Sequence, residues 1–327
     1  MGKDSDVVLS TRVRLARNLA GYPFPGRMTD AQRREVSDKV KAVFTGDGWE
    51  KVEFESLTPS ERASMLEKHL VSREFVTDAG ARTLIKNEEK SVYIMTPEED
   101  HLRIQSVVAG LDIDSAVKAA FDVEETADKS LDFAFSEQYG YVTHCPTNLG
   151  TGMRLSVMMF LPAYTEADAM FDLSNQLSRL GMTVRGMHGE GSGAAAYLYQ
   201  ISNQTTLGVS EEEIAKKLGK IVGEIIENER KLRKNLPESR KNALAETARR
   251  DYGILMYAGH LSSREIVKMY AEMRYAAVLG LSGVPTGKLD EMLIRSLPNT
   301  VAAENNAADD ADARDKARAD TVRKILA

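Results

Sequence analysis

Arginine and acidic side chains occur together in short polar segments between apolar stretches of the chain. Residues 10–17 read STRVRLAR, and in a strand Arg12 and Arg14 would project from the same face. Two adjacent guanidinium groups repel each other unless an anion such as phosphate lies between them. Taken alone, such a segment is more often an amphipathic surface strand, so it favours an anion site only if other segments support one.

A second segment, PEEDHLRIQ at residues 97–105, places Glu98, Glu99 and Asp100 after an apolar stretch. Burying carboxylates is costly unless a cation offsets their charge, and Arg103 follows closely. Such carboxylates can orient a cationic substrate, act as a general base or hold the water shell of magnesium. The alternative is a solvated acidic turn between two strands.

The single cysteine of the chain, Cys145, precedes a glycine-rich segment that ends in Arg154. A lone cysteine is usually a small apolar core residue. Exposed backbone amides and a nearby cation would instead favour a reactive thiol. In a cysteine hydrolase a histidine would activate the thiol, and His144 is poorly placed to do so for Cys145, because adjacent residues of a strand point to opposite faces.

The fourth segment, residues 185–194, has Arg185 next to a glycine-rich loop that carries Glu190. It contains a GxGxxA pattern, but a dinucleotide site requires a helix next, and residues 195–206 have a strand pattern. A flexible loop with Glu190 beside an anion-binding Arg185 fits better. The chain has no GxxxxGK[ST] motif, so the phosphates of a nucleotide would have to be held by scattered arginines.

Composition limits the classes of function. The chain has 327 residues, with 43 Lys and Arg against 49 Asp and Glu, and this net charge of −6 disfavours direct binding to nucleic acid or to a membrane surface. One cysteine excludes an intrachain disulfide framework and a cysteine-cluster metal site. The longest apolar stretch, residues 155–163, is too short to cross a bilayer, so we expect a cytoplasmic protein.

The patterns of strands and helices predict two domains. Strands are predicted over residues 82–86, 91–95, 101–107, 139–144, 182–187 and 195–204. Helices are predicted after the capping boxes at Thr58 and Ser210, and over residues 166–180, 252–258, 263–279 and the final segment. Because only helical patterns follow residue 230, we expect an α+β domain over residues 1–236 and an all-helical domain over residues 237–327.

Taken together, the four segments resemble the motifs of the phosphagen (guanidino) kinase family. The motifs STRVR, EEDHLR, CPTNLGTGMR, RGxxGE and ISNQxxLGxSE occur in order between about Val7 and about Asn235. The resemblance implies an antiparallel sheet flanked by helices. It also implies transfer of the γ-phosphoryl group of ATP to a guanidinium nitrogen.

The resemblance also assigns roles to residues by position. The arginines that would hold the phosphates of ATP are Arg12, Arg14, Arg103, Arg154 and Arg185. Glu99 matches the catalytic carboxylate, Glu190 a second carboxylate and Cys145 the active-site cysteine. The protein itself would supply no metal ligand, because Mg²⁺ would be held mainly through the phosphates. Two positions depart from the family pattern: Pro97 replaces an Asn, and Met158 stands where a His often faces the adenine.

The helical C-terminal segment narrows the resemblance. The sequence has no counterpart of the family's N-terminal helical domain, and its C-terminal segment carries an RDxxRA motif at residues 314–319. This organisation is similar to that of the bacterial McsB-type protein arginine kinases. It implies protein substrates with accessible arginines, which phosphoarginine would mark for a Clp-type protease. An activator protein and a homodimer are further expectations.

The RDxxRA motif is itself a candidate allosteric site. On a helix Arg314 and Arg318 lie on one face, so they could bind the phosphoryl group of phosphoarginine while Asp315 binds its guanidinium. The alternative is a solvated charged face. Two other functions stay open: a free-arginine kinase, which Glu190 favours, and a phosphoarginine-binding adaptor with weak catalysis, which the full set of arginines and glutamates disfavours.

Overall fold

The computed structural model describes residues 2–77, 80–186, 196–305, 307 and 310–327. The strands within them are β1 (Val8–Arg17), β2 (Glu50–Glu53), β3 (Thr83–Asn87), β4 (Val92–Thr96), β5 (Leu102–Ala109), β6 (Phe135–Ser136), β7 (Gly140–Tyr141), β8 (Met153–Phe160), β9 (Met182–Gly186) and β10 (Leu198–Asn203). The α-helices are α1 (Asp30–Val43), α2 (Pro59–Glu67), α3 (Arg73–Thr77), α4 (Ile113–Asp128), α5 (Pro162–Glu166), α6 (Met170–Arg179), α7 (Glu211–Lys234), α8 (Glu238–Tyr257), α9 (Ser263–Val278), α10 (Thr286–Arg295), α11 (Pro298–Asn305) and α12 (Ala311–Leu326).

Eight of these strands form one antiparallel sheet in the order β2-β3-β4-β5-β1-β8-β10-β9. The short strands β6 and β7 form a separate hairpin. β1 lies inside the sheet, where it pairs with β5 on one side and β8 on the other. The expected antiparallel sheet with flanking helices and a helical C-terminal part is therefore confirmed.

The two faces of the sheet differ because alternate side chains of a strand point to opposite faces. On β1, Val13 and Leu15 are fully buried in the main core, whereas Arg12 and Arg14 lie on the other face and stay partly exposed. The main core is completed by apolar side chains of α1, α4 and α7. One face is thus apolar and covered by helices, and the opposite face carries polar groups.

Two of the predicted elements differ from the structure. The strand predicted over residues 139–144 shortens to β7, because the backbone N–H of His144 donates to Asp100 Oδ1 (2.8 Å) instead of to a strand. The helix predicted over residues 166–180 begins only at Met170 as α6, because the left-handed backbone conformation of Asp168, with φ of +55°, separates it from α5, which ends at Glu166. Within the described residues, the helices α10 and α11 were also not predicted separately.

The helical C-terminal part packs around a second core at the end of the sheet where β8 ends and β10 begins. Phe160 of β8 and Leu198 of β10 lie in this core with apolar residues of α8, α9, α10 and α12. The buried guanidinium of Arg274 on α9 lies 4.5 Å from the ring of Phe160 and donates to the backbone oxygen of Ser5 (3.0 Å). Among the helices of the described residues, none has the length and apolarity of a membrane span.

A second junction joins α2 to α11. The carboxylate of Glu67 accepts hydrogen bonds from the backbone N–H groups of Asn299 (3.0 Å) and Thr300 (2.7 Å). It also accepts from both of their side chains. These N–H groups belong to the first turn of a helix, where intrahelical acceptors are lacking and a negative charge is favourable. Glu67 therefore fixes the start of α11 to the end of α2.

We expect Glu67→Gln to lower the free energy of unfolding by about 1–2 kcal/mol, because it removes a charge and one acceptor oxygen from four donors. The measurement is urea unfolding followed by circular dichroism. Glu227→Gln, an exposed position on α7, is the matched control and should stay within about 0.5 kcal/mol of the parent protein. An equal effect of the two substitutions would contradict the assigned role of Glu67.

Candidate active site

The five arginines expected to bind phosphate lie on one face of the sheet. The strand registers require this: Arg14 pairs with Arg154 across β1 and β8, and Ala16 on the same face of β1 pairs with Arg103 of β5. At the other side, Gln200 of β10 pairs with Arg185 of β9, and the Nη2 of Arg12 donates to Gln200 Oε1 (3.4 Å). The five arginines on this face are Arg12, Arg14, Arg103, Arg154 and Arg185. Side chains alternate between the two faces of a strand, so four antiparallel strands bring together five arginines that are spread over more than 170 residues of the sequence.

These arginines are electrostatically strained in the absence of an anion. Burial, and then the charges of Arg154 and Arg103, lower the pKa of Arg12 to about 10. Burial and the charge of Arg12 hold the pKa of Arg14 well below its usual value. Burial, and then Arg185, lower the pKa of Arg154 to about 10. A bound polyanion would offset both the loss of hydration and the repulsion, so this face is built for anions.

The acidic segment 98–100 connects to this face through Arg103. The guanidinium of Arg103 lies 2.8 Å from Glu98 Oε2 and 3.1 Å from Glu99 Oε2. Glu98 is buried, and burial raises the pKa of its carboxyl although Arg103 acts in the opposite direction. The side chain of Glu99 remains 29 % exposed, and its Oε1 lies 3.8 Å from His144 Nδ1. Glu99 is thus the carboxylate of this segment that a ligand can reach.

Asp100 links the Glu99 segment to the cysteine loop. Its buried Oδ1 accepts from Asn18 Nδ2 (2.6 Å) and from the backbone N–H of His144 (2.8 Å). Asn18 Oδ1 in turn accepts from the backbone N–H of His101 (2.9 Å). Burial lowers the pKa of His101, whose Nδ1 accepts from the backbone N–H of Leu19. This buried network fixes the two segments with respect to each other.

The loop that carries Cys145 is held from both ends. Cys145 precedes a 3₁₀ turn at Pro146–Asn148, and its Sγ lies 3.0 Å from Thr147 Oγ1. At the far end, the buried guanidinium of Arg17 donates to the backbone oxygen of Thr151 (3.0 Å) and stacks on Tyr141 at 3.5 Å. The loop geometry is therefore set by buried groups behind it.

Gly152 shows how close this packing is. It has φ of +60°, and a Cβ at this position would lie 2.6 Å from Arg17 Nη1 and 2.7 Å from the backbone oxygen of Ala16. Neither the conformation nor the space permits a side chain. Gly152, two residues before Arg154, is thus required for the close approach of the loop to β1.

A cavity of about 190 Å³ collects the candidate catalytic residues. Its lining includes Glu99 and Cys145, and four of the five arginines: Arg14, Arg103, Arg154 and Arg185. A carboxylate and a thiol can hold a cationic planar group, and the arginines can hold an anion beside it. The geometry therefore suits a reaction between a cation and a phosphate.

A larger cavity of about 610 Å³ shares Arg14 and Arg185 with the smaller one and contains Arg12. Glu74 of α3 lines both cavities, and sequence analysis did not identify it because no pattern marks this exposed residue. Sequence analysis also missed Ser202 of β10, whose Oγ accepts from Arg154 Nη2 (2.9 Å). The position of α3 brings Glu74 to the site, and the register of β10 brings Ser202.

Two expected site features remain, Glu190 and the RDxxRA motif. Glu190 belongs to residues 187–195, which lie outside the described part of the chain. The RDxxRA motif lies on α12, where the guanidinium of Arg318 is buried and donates to the backbone oxygens of Ser296 (2.7 Å) and Leu261 (2.6 Å) and to Asp315. The Nη1 of Arg314 donates to the backbone oxygen of Ala307 (3.4 Å). Phosphoarginine binding by this segment stays a prediction.

Comparison with known proteins identifies the family. Residues 33–232 match the model of the ATP:guanido phosphotransferase C-terminal catalytic domain, and residues 241–327 match that of the protein-arginine kinase McsB C-terminal domain. The protein-arginine kinase of Pelotomaculum thermopropionicum is 40% identical over 306 residues, which cover 91% of this chain and 86% of that protein. The chain belongs to the protein-arginine kinase family.

Other relatives agree with this membership. The protein-arginine kinase of Brevibacillus brevis is 37% identical over 332 residues, which cover 99% of this chain and 93% of that protein. Among solved structures, the crystal structure of lombricine kinase is similar with a TM-score of 0.59 and 28% identity, covering 71% of this chain and 68% of that one. The resemblance to guanidino kinases is therefore confirmed.

The donor set of the site fits a nucleoside triphosphate. Arg154 Nε is buried, and within the described residues no hydrogen-bond acceptor meets it, so it is available for a phosphate oxygen. In the same part of the chain, no three His, Cys, Asp or Glu side chains lie close enough to hold a metal ion. The arginines that face the cavity thus provide for phosphates.

We expect Arg154→Met to lower ATP-dependent turnover about 10³-fold or more, by analogy with other arginines that neutralise a transferred phosphoryl group. The melting temperature of the nucleotide-free protein should be equal or higher, because repulsion with Arg185 and Arg103 disappears. The rise in melting temperature on adding ATP should shrink. Calorimetry and a turnover assay measure these three effects.

Arg250→Met serves as the control, since Arg250 is an exposed arginine of α8 that pairs with Glu246 at the surface. It should leave turnover and ATP stabilisation unchanged. Near-normal turnover in Arg154→Met, or a large drop in its melting temperature without nucleotide, would contradict the assignment of this face as a phosphate site.

Proposed function

We propose that the protein transfers the γ-phosphoryl group of ATP to the guanidinium of arginine residues in proteins. The observation that carries the proposal is the small cavity, which has Glu99 and Cys145 beside Arg14, Arg103 and Arg154. The protein is a member of the ATP:guanido phosphotransferase family, which supports ATP as the phosphoryl donor. Relatives named protein-arginine kinase support an arginine in a protein as the acceptor.

The acceptor needs activation. An arginine guanidinium is charged at neutral pH, with a pKa above about 12, and is therefore a poor nucleophile. Arg103 holds Oε2 of Glu99, so Oε1 is the atom that faces the acceptor. Glu99 would orient one guanidinium nitrogen and accept its proton as that nitrogen bonds to phosphorus. The bond between the γ-phosphorus and the bridging oxygen breaks, and ADP leaves with the electron pair.

The donor side requires charge neutralisation and alignment more than covalent chemistry. Arg14, Arg154 and Arg185 would bind oxygens of the phosphates, which offsets the repulsion among these guanidinium groups. Mg²⁺ would be carried by the phosphates of ATP and would add positive charge at the bond that breaks. Cys145 would contact the acceptor guanidinium from the loop opposite Glu99.

Four finer expectations are proposals that rest on the family resemblance. They are a cytoplasmic location, delivery of the modified proteins to a Clp-type protease, dependence on an activator protein, and a homodimer. The described helices that lack a membrane span and the net charge of −6 are compatible with the first. None of the four changes the chemistry assigned to the cavity.

The RDxxRA segment is proposed as a phosphoarginine site, with a division of roles that differs from the sequence-based expectation. Since the guanidinium of Arg318 is committed to two backbone oxygens, its contribution would be to hold Asp315 in place. The side chain of Asp315 is 37 % exposed and would bind the guanidinium of the ligand. Arg314, which is partly exposed, would bind its phosphoryl group.

We expect Glu99→Gln to lower the rate of protein phosphorylation about 10²–10⁴-fold, because the amide can neither accept the proton nor hold the cation as well. ATP binding should persist, since the arginines are unchanged. The assay incubates the protein with ATP and an unfolded arginine-containing protein and measures acid-labile phosphate. A parallel reaction with free arginine separates a protein kinase from a free-arginine kinase.

Glu125→Gln is the control, because Glu125 is exposed on α4, on the apolar-core side of the sheet. It should phosphorylate protein at the parental rate. If Glu99→Gln also did so, the assignment of Glu99 would be wrong. If free arginine were the better acceptor, the proposed substrate class would be wrong while the phosphoryl transfer chemistry would stand.

For the RDxxRA segment we expect Asp315→Asn to weaken the binding of free phosphoarginine, as measured by calorimetric titration. If the ligand regulates the enzyme, its effect on the kinase rate should correspond to about 1–3 kcal/mol of coupling. Asp312→Asn, one turn earlier and 85 % exposed, is the matched control. Equal binding by both variants with unchanged kinase rates would leave this segment as an ordinary surface helix.

A further inference from the structure

The larger cavity has one wall that comes from the helical C-terminal part. Its floor is the polar face of the sheet, with Arg12, Arg14 and Gln200. One wall is the segment from α2 to α3, residues 66–74, and an adjoining wall is formed by the junction of α10 and α11. The residues of that junction in the lining are Leu293, Ile294, Leu297 and Pro298.

The charge of the floor selects the occupant. Glu99 and Cys145, the groups assigned to the cationic acceptor, line the small cavity and not this one. Of the carboxylates that line the larger cavity, Glu67 is hydrogen-bonded to the start of α11, whereas Arg12, Arg14 and Arg185 attract an anion. Because Arg14 and Arg185 also line the small reaction cavity, one molecule with its phosphates over these arginines extends into both cavities. With the phosphates over these arginines, the nucleoside is the part of the nucleotide that would fill the rest of the larger cavity. The apolar side chains of the C-terminal wall suit such a ring system, and the segment of residues 66–74 adds polar groups beside them.

The C-terminal wall is anchored on both sides of its exposed residues. Ser296 lies between Ile294 and Leu297, and its backbone oxygen accepts from the buried Nε of Arg318 at 2.7 Å. Asn299, three residues after Ser296, is hydrogen-bonded to Glu67 of α2, which lies in the adjoining wall of the same cavity. The two walls are therefore joined and present a preformed surface to a ligand.

We propose that the junction of α10 and α11 forms one wall of the nucleoside site, with Leu293, Ile294 and Leu297 contacting the base or ribose of ATP. The helical C-terminal part then contributes directly to ATP binding, in addition to any role in regulation. This inference rests on the proposed function, since it takes ATP as the ligand of the arginine face. Arg318 is a positioning residue for this wall.

The experiment is direct titration of ATP into the full chain without an acceptor. Ile294 is 41 % exposed, so Ile294→Asp should fold, and we expect it to raise the Kd for ATP about ten-fold or more. The substitution removes an apolar contact and adds a negative charge beside the nucleotide. At saturating ATP, the KM for the protein substrate should stay at the parental value. Ile294→Ser, which adds no charge, should raise the Kd for ATP less.

Ile254→Asp is the matched control, because Ile254 is also an isoleucine of the C-terminal helices, is 38 % exposed, and lies outside the lining of the cavity. It should leave the Kd for ATP unchanged. An unchanged Kd for ATP in both Ile294 variants would overturn the proposal, and a raised KM for the protein substrate alone would assign the wall to the polypeptide. Since binding is measured without turnover, loss of ATP affinity would support the wall even if no phosphoarginine were formed.

Discussion

The mutual repulsion of arginines on one face of the sheet is the constraint on which the rest of the structure depends. Arg14 and Arg154 are direct neighbours across β1 and β8, and both have a lowered pKa because burial and like charges disfavour their charged forms. Such an arrangement disfavours the charged forms of both arginines, and a bound polyanion would offset this cost. The opposite face must therefore supply the stability, and there Val13 and Leu15 are fully buried under helices.

The catalytic chemistry requires that an anion site and a cation site adjoin without neutralising each other. Arg103 shows how this is arranged. Its guanidinium contacts both carboxylate oxygens of Glu98 but only Oε2 of Glu99. The buried Asp100 then ties this segment to the loop of Cys145 through the backbone N–H of His144. Buried carboxylates behind the site thus position the exposed carboxylate within it.

The helical C-terminal part has a place in this arrangement. It shares a core with the sheet around Phe160, and Glu67 connects α2 to the start of α11. A free guanidino substrate is small enough to be enclosed, whereas an arginine within a protein must reach the cavity from outside.

Much of the site was predictable because it depends on local rules. The alternation of Arg12 and Arg14 along a strand, the capping boxes at Thr58 and Ser210, and the order of the family motifs are properties of short segments. They were sufficient for the antiparallel sheet and the phosphotransferase class, and they indicated the five arginines that the fold places on one face. The start of α6 at Met170, instead of at residue 166, was not predictable, because it depends on the left-handed conformation of Asp168.

Interactions between distant segments were decided only by the tertiary structure. Glu74 reaches the site from a short helix that no pattern marks, and Ser202 does so through the register of β10. The sequence indicated Arg318 as a ligand-binding residue, but the fold buries its guanidinium against the backbone oxygens of Ser296 and Leu261. The physical reason is general: residue type and spacing determine which face of an element is polar, whereas the partner of each polar group depends on which elements the fold brings against that face.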